Sequence, residues 1–307
     1  MSGQWEPPFN IRKLNCTMTP YVYRGGQDDY MIVDLTDWTV TFEGIVGSQE
    51  DANNKYNTNS VYKTSKMVFR KVEPGEYTIG HSSVSNNTQH KVSVPEGTCY
   101  YMGIFCVTVS QYARIMGTAA SSAMTPVTAA TFSSWNVLRN STGAGAAVSG
   151  DKSNTANFFV RFNGLTGKSF DLPTEEMWEI AARAGATTKF SFGDTILSDY
   201  IWYNGNGGAT LHDVGTKKPN KWGLYEMEGM IWEYMRDVYN SANIATKTTG
   251  IYTPQATGDA SYRTLKAGFG DETDTLKNSA SYRHSDLASS PGANGARRSF
   301  RVAIVVQ

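Results

Sequence analysis

The chain has 307 residues, which is long enough to bury a sizeable core without disulfide bonds. Lys and Arg (28 residues) balance Asp and Glu (28), and this excludes the broadly basic surface that binds nucleic acid or anionic membranes. Neither an apolar run of about 18 residues nor a basic-then-apolar N-terminus occurs, so we expect no membrane insertion and no signal peptide.

The chain contains three cysteines, Cys16, Cys99 and Cys106. Three is an odd number and too few for a disulfide framework. The composition therefore favours buried free thiols, and a disulfide between Cys99 and Cys106 is the alternative.

Residues 1–63 differ from the rest of the chain. Short apolar runs at 31–35 and 38–46, the second alternating with period two, indicate strands. The stretch 49–60 is rich in Asn, Asp and Ser, which is typical of a linker. We therefore predict a small β-rich N-terminal module over 1–63, followed by the main domain over 64–307. An N-terminal extension that packs on the main domain is the alternative.

The pattern changes from residue 64 onward. Strand-like runs flank Pro74-Gly75 and predict a hairpin. Ser110 and Thr174 are candidate N-caps of two helices, and Glu175 follows where the positive helix end favours a carboxylate. The chain closes on a strand over 300–306. Few helices, many irregular loops and a terminal strand predict an α+β fold with a high loop content.

Five blocks in this region resemble the formylglycine-generating enzyme (sulfatase-modifying factor) domain family. Residues 73–80 are similar to its opening "PAGTFxMG" strand, and 101–112 to "YxIGKYEVTNAQY". Residues 170–179, 219–234 and 299–303 are similar to "FRLPTEAEWE", "PNxWGLYDMxGNVWEW" and "GFRVA". The blocks follow the family order. The resemblance implies the family's variant of the C-type lectin fold, with much of the second half built from ordered loops.

The resemblance also identifies where the family's chemistry would lie. Its oxidising members use a pair of cysteines shortly after an "RGGSW" segment, and a thiolate pair can hold a soft metal that activates oxygen. The equivalent stretch here is 263–271, and no cysteine follows Cys106. We therefore expect no formylglycine-generating activity and predict a protein that is not an enzyme. A divergent metal-dependent oxidoreductase of the same superfamily is the alternative.

Some family members hold calcium in the "GNxWE" turn, through backbone carbonyls and the Glu carboxylate. Hard oxygen ligands in a tight turn suit calcium. The matching residues here are Glu228, Gly229, Ile231 and Glu233, with Met230 in place of the Asn. Calcium at this turn is a possible cofactor, and no other is predicted. The alternative is a buried Glu233 that is hydrogen-bonded to the loop backbone.

The segment 267–299 has the composition of an antibody-like binding surface, in which aromatic side chains supply contact area while Ser, Gly, Asn and Asp supply adaptable hydrogen bonds. Leu276, Ala280, Arg283 and Arg301 are expected to be framework residues. We predict that the segment lies on one exposed face. The predicted ligand-binding residues are Phe269, Asp271, Thr273, Asp274, Asn278, Ser281, Tyr282, His284, Ser285 and Asp286.

This placement resembles the variable proteins of diversity-generating retroelements, several of which use the same lectin-like domain. In them, the stretch before "FRVA" is mutagenised and binds the ligand. The resemblance implies a receptor-binding protein, such as a phage tail adhesin, with a protein or glycan partner on another cell. Residues 1–63 would then serve in homo-oligomerisation or virion attachment, and the protein would be located in the virion or otherwise in the cytoplasm. An ordinary solvated loop, or a structural virion protein without a ligand, is the alternative.

Overall fold

The computed structural model describes residues 27–118, 125–132, 134–139, 143–208, 210–289 and 297–307, and these form the predicted α+β fold. The strands are β1 (Tyr30–Asp34), β2 (Val40–Glu43), β3 (Lys66–Val72), β4 (Gly75–Ile79), β5 (His90–Val94), β6 (Cys99–Gly103), β7 (Trp232–Val238), β8 (Tyr262–Lys266), β9 (His284–Leu287), β10 (Arg298–Ser299) and β11 (Ala303–Val306). The helices are α1 (Gln49–Thr58), α2 (Val61–Thr64), α3 (Val109–Met116), α4 (Asn136–Arg139), α5 (Phe158–Thr166) and α6 (Glu175–Arg183), with short 3₁₀ turns at Ile244–Thr246 and Thr275–Asn278.

The main sheet has the strand order β11-β6-β3-β1-β2 within the described residues. Its strands pair antiparallel, and the predicted terminal strand, β11, pairs with β6 from Ala303↔Met102 to Val306↔Cys99. The C-terminus of the chain is therefore fixed next to a strand from its first half. A second sheet has the order β10-β7-β8-β9 and includes two short strands of the C-terminal segment, β9 and β10.

The described N-terminal residues, 27–63, do not form a sheet of their own. Strand β1 pairs with β3 along its whole length, from Tyr30↔Arg70 to Asp34↔Lys66, and β2 pairs with β1. The predicted linker over 49–60 is wrong, because this stretch forms helix α1. Ser48 and Asp51 form a capping box at its start, and Ala52 and Tyr56 are buried on one face. Residues 1–26 lie outside the described part of the chain.

The predicted hairpin around Pro74-Gly75 is also wrong. Strand β3 pairs with β1 and β6, whereas β4 pairs with β5 in a separate two-stranded ribbon. Gly75 has a φ of 149°, a backbone region open mainly to glycine, and the chain leaves the main sheet there. A turn dipeptide marks a change of direction, but it does not determine which strands pair.

The two predicted helices are present. Thr174 caps α6 by accepting a hydrogen bond from the Met177 amide, as predicted. Helix α3 is capped by Thr108 and not by Ser110, because Thr108 forms a capping box with Gln111. Helix α6 is buried along its length, and its charged residues therefore need partners inside the protein. No helix in the described residues is long and apolar enough to span a bilayer.

Replacing Ile32 by Ala tests whether residues 27–63 unfold together with the rest. Ile32 is buried in β1, so the change should lower the free energy of unfolding of the whole domain by about 2–5 kcal/mol. The measurement is urea unfolding followed by both tryptophan fluorescence and circular dichroism. The control is Thr41→Ala at an exposed position in β2, which should change the free energy by less than about 0.5 kcal/mol. A main transition that Ile32→Ala leaves unchanged would contradict this prediction.

Candidate ligand-binding surface

The C-terminal segment does not expose all ten predicted ligand-binding residues. Thr273, Asp274 and His284 are exposed, and Asp271, Tyr282 and Ser285 are half-buried. The other four, Phe269, Asn278, Ser281 and Asp286, are buried. The predicted exposure is therefore wrong for these four, which cannot contact a macromolecular ligand in this conformation.

Phe269 is buried because the chain turns sharply at the end of β8. Gly268 has a φ of 86°, and a Cβ at this position would collide with the side-chain oxygen of Asn278. The turn directs the Phe269 ring into the main core, where it is 2% exposed. The Arg297 guanidinium lies 4.5 Å from the ring centroid and pairs with Asp271 at 2.8 Å. Composition alone does not reveal this inward turn, because an aromatic side chain suits a binding surface and a core equally well.

Arg283 fixes the middle of the segment, in line with its predicted framework role. Its Nε and Nη2 donate to the two carboxylate oxygens of Glu175 on α6, at 2.5 and 2.9 Å. Its Nη1 donates to the carbonyl oxygens of Asn86 and Ala242. Burial alone would lower the pKa of Arg283, but the Glu175 carboxylate raises it, so the guanidinium stays charged. The neighbouring residues 282 and 284 are thereby held at the surface.

Two of the outward-facing side chains, Tyr282 and His284, pack on a tryptophan that the sequence analysis did not single out. Trp232 lies on β7, and its ring centroid is 4.8 Å from that of His284 and 6.3 Å from that of Tyr282. Although His284 is exposed on its outer side, loss of hydration where its ring packs on Trp232, followed by the charges of Lys277 and Arg298, lowers its pKa and favours the neutral imidazole. Trp232 belongs to the "WE" of the family block at 219–234, so the sequence contained a signal for it. Its position beneath Tyr282 and His284 follows only from the tertiary structure.

Asp286 forms a buried ion pair with Arg298, which links β9 to β10. Asn278 and Ser281 lie in the interior, behind the surface. These buried polar residues belong to the support of the segment, together with Arg283 and Ala280.

Glu233, the central residue of the predicted calcium turn, is fully buried and committed to other partners. Its carboxylate accepts hydrogen bonds from Arg301 Nε at 2.9 and 3.1 Å, from Trp178 Nε1 at 2.8 Å and from Cys106 Sγ at 3.2 Å. The guanidinium of Arg301 already supplies the positive charge that calcium would otherwise bring to this carboxylate. Glu233 is therefore buried and hydrogen-bonded, as the alternative to a calcium site predicted. Its partners are side chains, whereas the prediction named the loop backbone.

The other residues of the turn also do not fit calcium. The two carboxylate oxygens of Glu228 accept from the amide and the hydroxyl of Ser191, each at 2.7 Å. Burial raises the pKa of Glu228 to about 7, which weakens it as an anionic ligand. The Gly229 amide donates to the Ala267 carbonyl, and Ile231 is buried in the core. The described residues also contain no group of three or more His, Cys, Asp or Glu side chains placed to hold a metal ion.

The two described cysteines are free and buried, which confirms the prediction of free thiols for Cys99 and Cys106. Burial raises the pKa of Cys99 to about 12. Burial and the neighbouring Glu233 carboxylate raise the pKa of Cys106 well above its usual range. Neither side chain is a thiolate at neutral pH, and both are unsuited to act as nucleophiles. Cys16 lies outside the described residues.

Comparison with known proteins places this geometry in context. The family model of the sulfatase-modifying factor enzyme 1-like domain matches residues 52–305. The chain is 31% identical over 134 residues to serine/threonine-protein kinase pkn1 of Chlamydia pneumoniae, covering 43% of this chain and 20% of that protein. It is 28% identical over 129 residues to formylglycine-generating enzyme of Streptomyces coelicolor, covering 38% of this chain and 39% of that protein. The chain therefore spans well under half the length of these curated relatives.

Two solved structures share the fold. Treponema denticola variable protein 1 superposes with a TM-score of 0.65 and 21% identity, over 78% of this chain and 95% of that one. PvdO from Pseudomonas aeruginosa superposes with a TM-score of 0.60 and 17% identity, over 77% and 93%. These similarities confirm the predicted C-type-lectin-like fold of the formylglycine-generating-enzyme type.

Glu228 should make the stability of the protein depend on pH. A carboxyl whose pKa rises from 4.5 to about 7 on folding stabilises the folded state below pH 4.5, and this contribution is lost as the pH rises through about 7. The free energy of unfolding should therefore fall more between pH 5 and pH 8 in the wild type than in Glu228→Gln, by about 1–3 kcal/mol. Urea unfolding at several pH values measures both slopes.

Asp237, whose pKa is also raised to about 7, is present in both proteins, so its contribution cancels in this comparison. Equal slopes for the wild type and Glu228→Gln would show that the environment of Glu228 has been misassigned.

Proposed function

The chain belongs to the sulfatase-modifying factor enzyme 1-like domain family, and from this premise we propose that it is a binding protein without catalytic activity that presents its C-terminal segment to a receptor. The contact area is the display surface, defined here as Thr273, Asp274, Tyr282, His284 and Ser285, with the Trp232 ring beneath Tyr282 and His284. The receptor is a protein or a glycan on another cell.

The observation that carries this proposal is the contrast between the buried side chains of the segment, which are paired, and most of its outward-facing side chains, which are not. Buried side chains such as Arg283 and Asp286 hold the backbone through ion pairs with distant elements. In contrast, the side chains of Thr273, Tyr282, His284 and Ser285 form no hydrogen bond with any described residue. Such positions can change without disturbing the fold, and their polar atoms are free for a partner.

The chemistry of the display surface suits macromolecular recognition. Its centre contains the rings of Tyr282 and His284, which rest on the buried Trp232 ring and offer contact area at a low entropy cost. Thr273, Asp274 and Ser285 provide a polar rim. An aromatic centre with a polar rim is the usual anatomy of an interface.

The absence of catalysis is supported by the chemistry of the equivalent family segment. No cysteine follows Cys106 in the sequence, and within 263–271 the Lys266 ammonium is buried against Glu179 at 3.1 Å. That stretch therefore carries a structural ion pair next to the display surface.

Retroelement-directed diversification of the display surface extends the proposal. Treponema denticola variable protein 1 has the same fold, and the composition of 267–299 matches the residue types found in such variable segments. A phage tail adhesin, attached to the virion or oligomerised through residues 1–63, is the setting that we favour. The proposed function requires neither calcium nor contact with nucleic acid.

Removing the aromatic centre should abolish adhesion. We expect Tyr282→Ala and His284→Ala each to weaken the binding of labelled protein to receptor-bearing cells by about tenfold or more, because interface aromatics commonly contribute about 2 kcal/mol. The measurement is flow cytometry over a panel of candidate host cells. The matched control is Phe42→Ala, which removes an exposed aromatic ring from β2 in the other sheet and should leave binding unchanged. Unchanged adhesion of the double variant would refute the assignment of the display surface.

Diversification predicts a specific pattern of substitutions. Copies of this gene from many isolates should differ at positions 273, 274, 282, 284 and 285. They should agree at 269, 278, 281, 283 and 286, where the side chains are buried. Sequencing the 3′ end of the gene from a mixed population measures this. Substitutions spread evenly over both sets of positions would argue against diversification while leaving the binding role intact.

A further inference from the structure

A recessed surface, separate from the display surface, lies between helix α1 and the segment 198–219. It is a groove of about 780 Å³. Helix α1 contributes Glu50, Asn53, Asn54 and Asn57 to one wall, and the segment contributes mainly polar residues to the other. The groove shares no lining residue with the display surface.

The four α1 residues form a stripe at positions i, i+3, i+4 and i+7, which lie on one face of a helix. A helix that packs against its own protein carries apolar residues at this spacing. Here the apolar contacts of α1 are made by Ala52 and Tyr56 on another face, and the stripe facing the groove is polar. Asparagine is a poor helix former, so three of them in one stripe are not explained by helix stability.

The groove is held in shape before any ligand arrives. Asn57 donates from Nδ2 to the Gly215 carbonyl at 3.0 Å, which joins the two walls. The buried Glu226 carboxylate accepts from the amides of Gly215, Thr216 and Lys217 at 2.9, 2.9 and 3.1 Å. A backbone loop tied in this way loses little conformational freedom on binding.

The charged groups of the opposite wall are already committed. Lys218 pairs with Asp199 at 2.7 Å. Lys217 donates to the Ser198 carbonyl at 2.6 Å, and its Nζ lies 3.7 Å from the centroid of the Trp202 ring. The groove lining contains two lysines and two carboxylates, Glu50 and Asp199, so its formal charge is zero and does not favour an anionic ligand.

The groups that remain available are those of the α1 stripe. Glu50 and Asn54 have exposed side chains that form no hydrogen bond with any described residue. The Oδ1 atom of Asn57 also has no hydrogen-bond partner, but it is buried against Gly215 and is not open to a ligand. One carboxylate and several side-chain amides therefore present donors and acceptors along one wall, and Pro219 and Tyr225 add apolar surface to the lining.

We propose that this groove binds an uncharged saccharide, whose neighbouring hydroxyl groups donate to Glu50 and exchange hydrogen bonds with the asparagine amides. Hydroxyl groups are both donors and acceptors, and they match amides that are also both. The N-terminal region 27–63 thereby contributes one wall of a ligand site as well as two strands of the sheet. This inference does not depend on the proposed function of the display surface.

The test uses four neutral trisaccharides, maltotriose, cellotriose, mannotriose and chitotriose, at millimolar concentration. Binding is followed by saturation-transfer NMR and by the side-chain amide signals of protein labelled with ¹⁵N-asparagine. We expect at least one trisaccharide to shift the signals of Asn53, Asn54 or Asn57. The double variant Glu50→Ala/Asn54→Ala should bind it about tenfold more weakly, and because alanine is the better helix former, α1 should remain folded.

Two controls separate the groove from other sites. Lys55→Ala changes a residue of α1 that pairs with Glu43 outside the groove, and it should leave binding unchanged. Tyr282→Ala/His284→Ala removes the display surface and should also have no effect. The proposal is overturned if no trisaccharide binds, if the double variant binds as well as the wild type, or if tri-galacturonate binds more tightly than every neutral sugar.

Discussion

The buried ion pair between Arg301 and Glu233 is the contact on which the arrangement of the whole domain depends. Arg301 also donates to the carbonyl oxygens of Gly103 and Ile104 at the end of β6, and Glu233 accepts from the Trp178 indole on α6. One cluster therefore joins the main sheet, the second sheet and a helix. Because removing one member would leave an uncompensated charge in the interior, at a cost of about 3–5 kcal/mol, these elements can pack in only one way around it. Glu233 is also the central residue of the predicted calcium turn, so the ion pair with Arg301 occupies its carboxylate.

Helix α6 repeats this principle along its length. Glu175 holds Arg283, and Glu179 holds both Arg183 and Lys266, all within the buried interior. The nearby charges of Lys266 and Arg183 outweigh the effect of burial and lower the pKa of Glu179 to about 2. The Glu179 carboxylate therefore stays ionised in the interior. The C-terminal segment is thus attached to a rigid helix by charged side chains, and among the side chains of the display surface only Asp274, which caps the 3₁₀ turn, forms a hydrogen bond within the described residues.

Two surfaces of different chemistry follow from this rigid interior. The display surface has an aromatic centre built on β7 and β9, whereas the groove beside α1 is lined mainly by amides and by charged side chains of both signs. The first suits a large partner that covers a half-exposed patch, and the second suits a small polar ligand that fits between two walls. Residues 27–63 belong to the same folded unit as the rest of the described chain, because β1 and β2 extend the main sheet, which also contains the terminal strand β11.

Local patterns in the sequence determined the α+β class, the family blocks, the Thr174 cap, the terminal strand and the framework role of Arg283. Each of these depends on residues that lie close together along the chain, or on a motif read as a unit. The tertiary structure alone decided that β1 and β2 join the main sheet, that Phe269 turns inward at Gly268, and that Trp232 lies under His284. In an irregular segment no periodicity separates inward from outward positions, and the partners that fix them, such as Glu175 for Arg283, are 108 residues away in the chain.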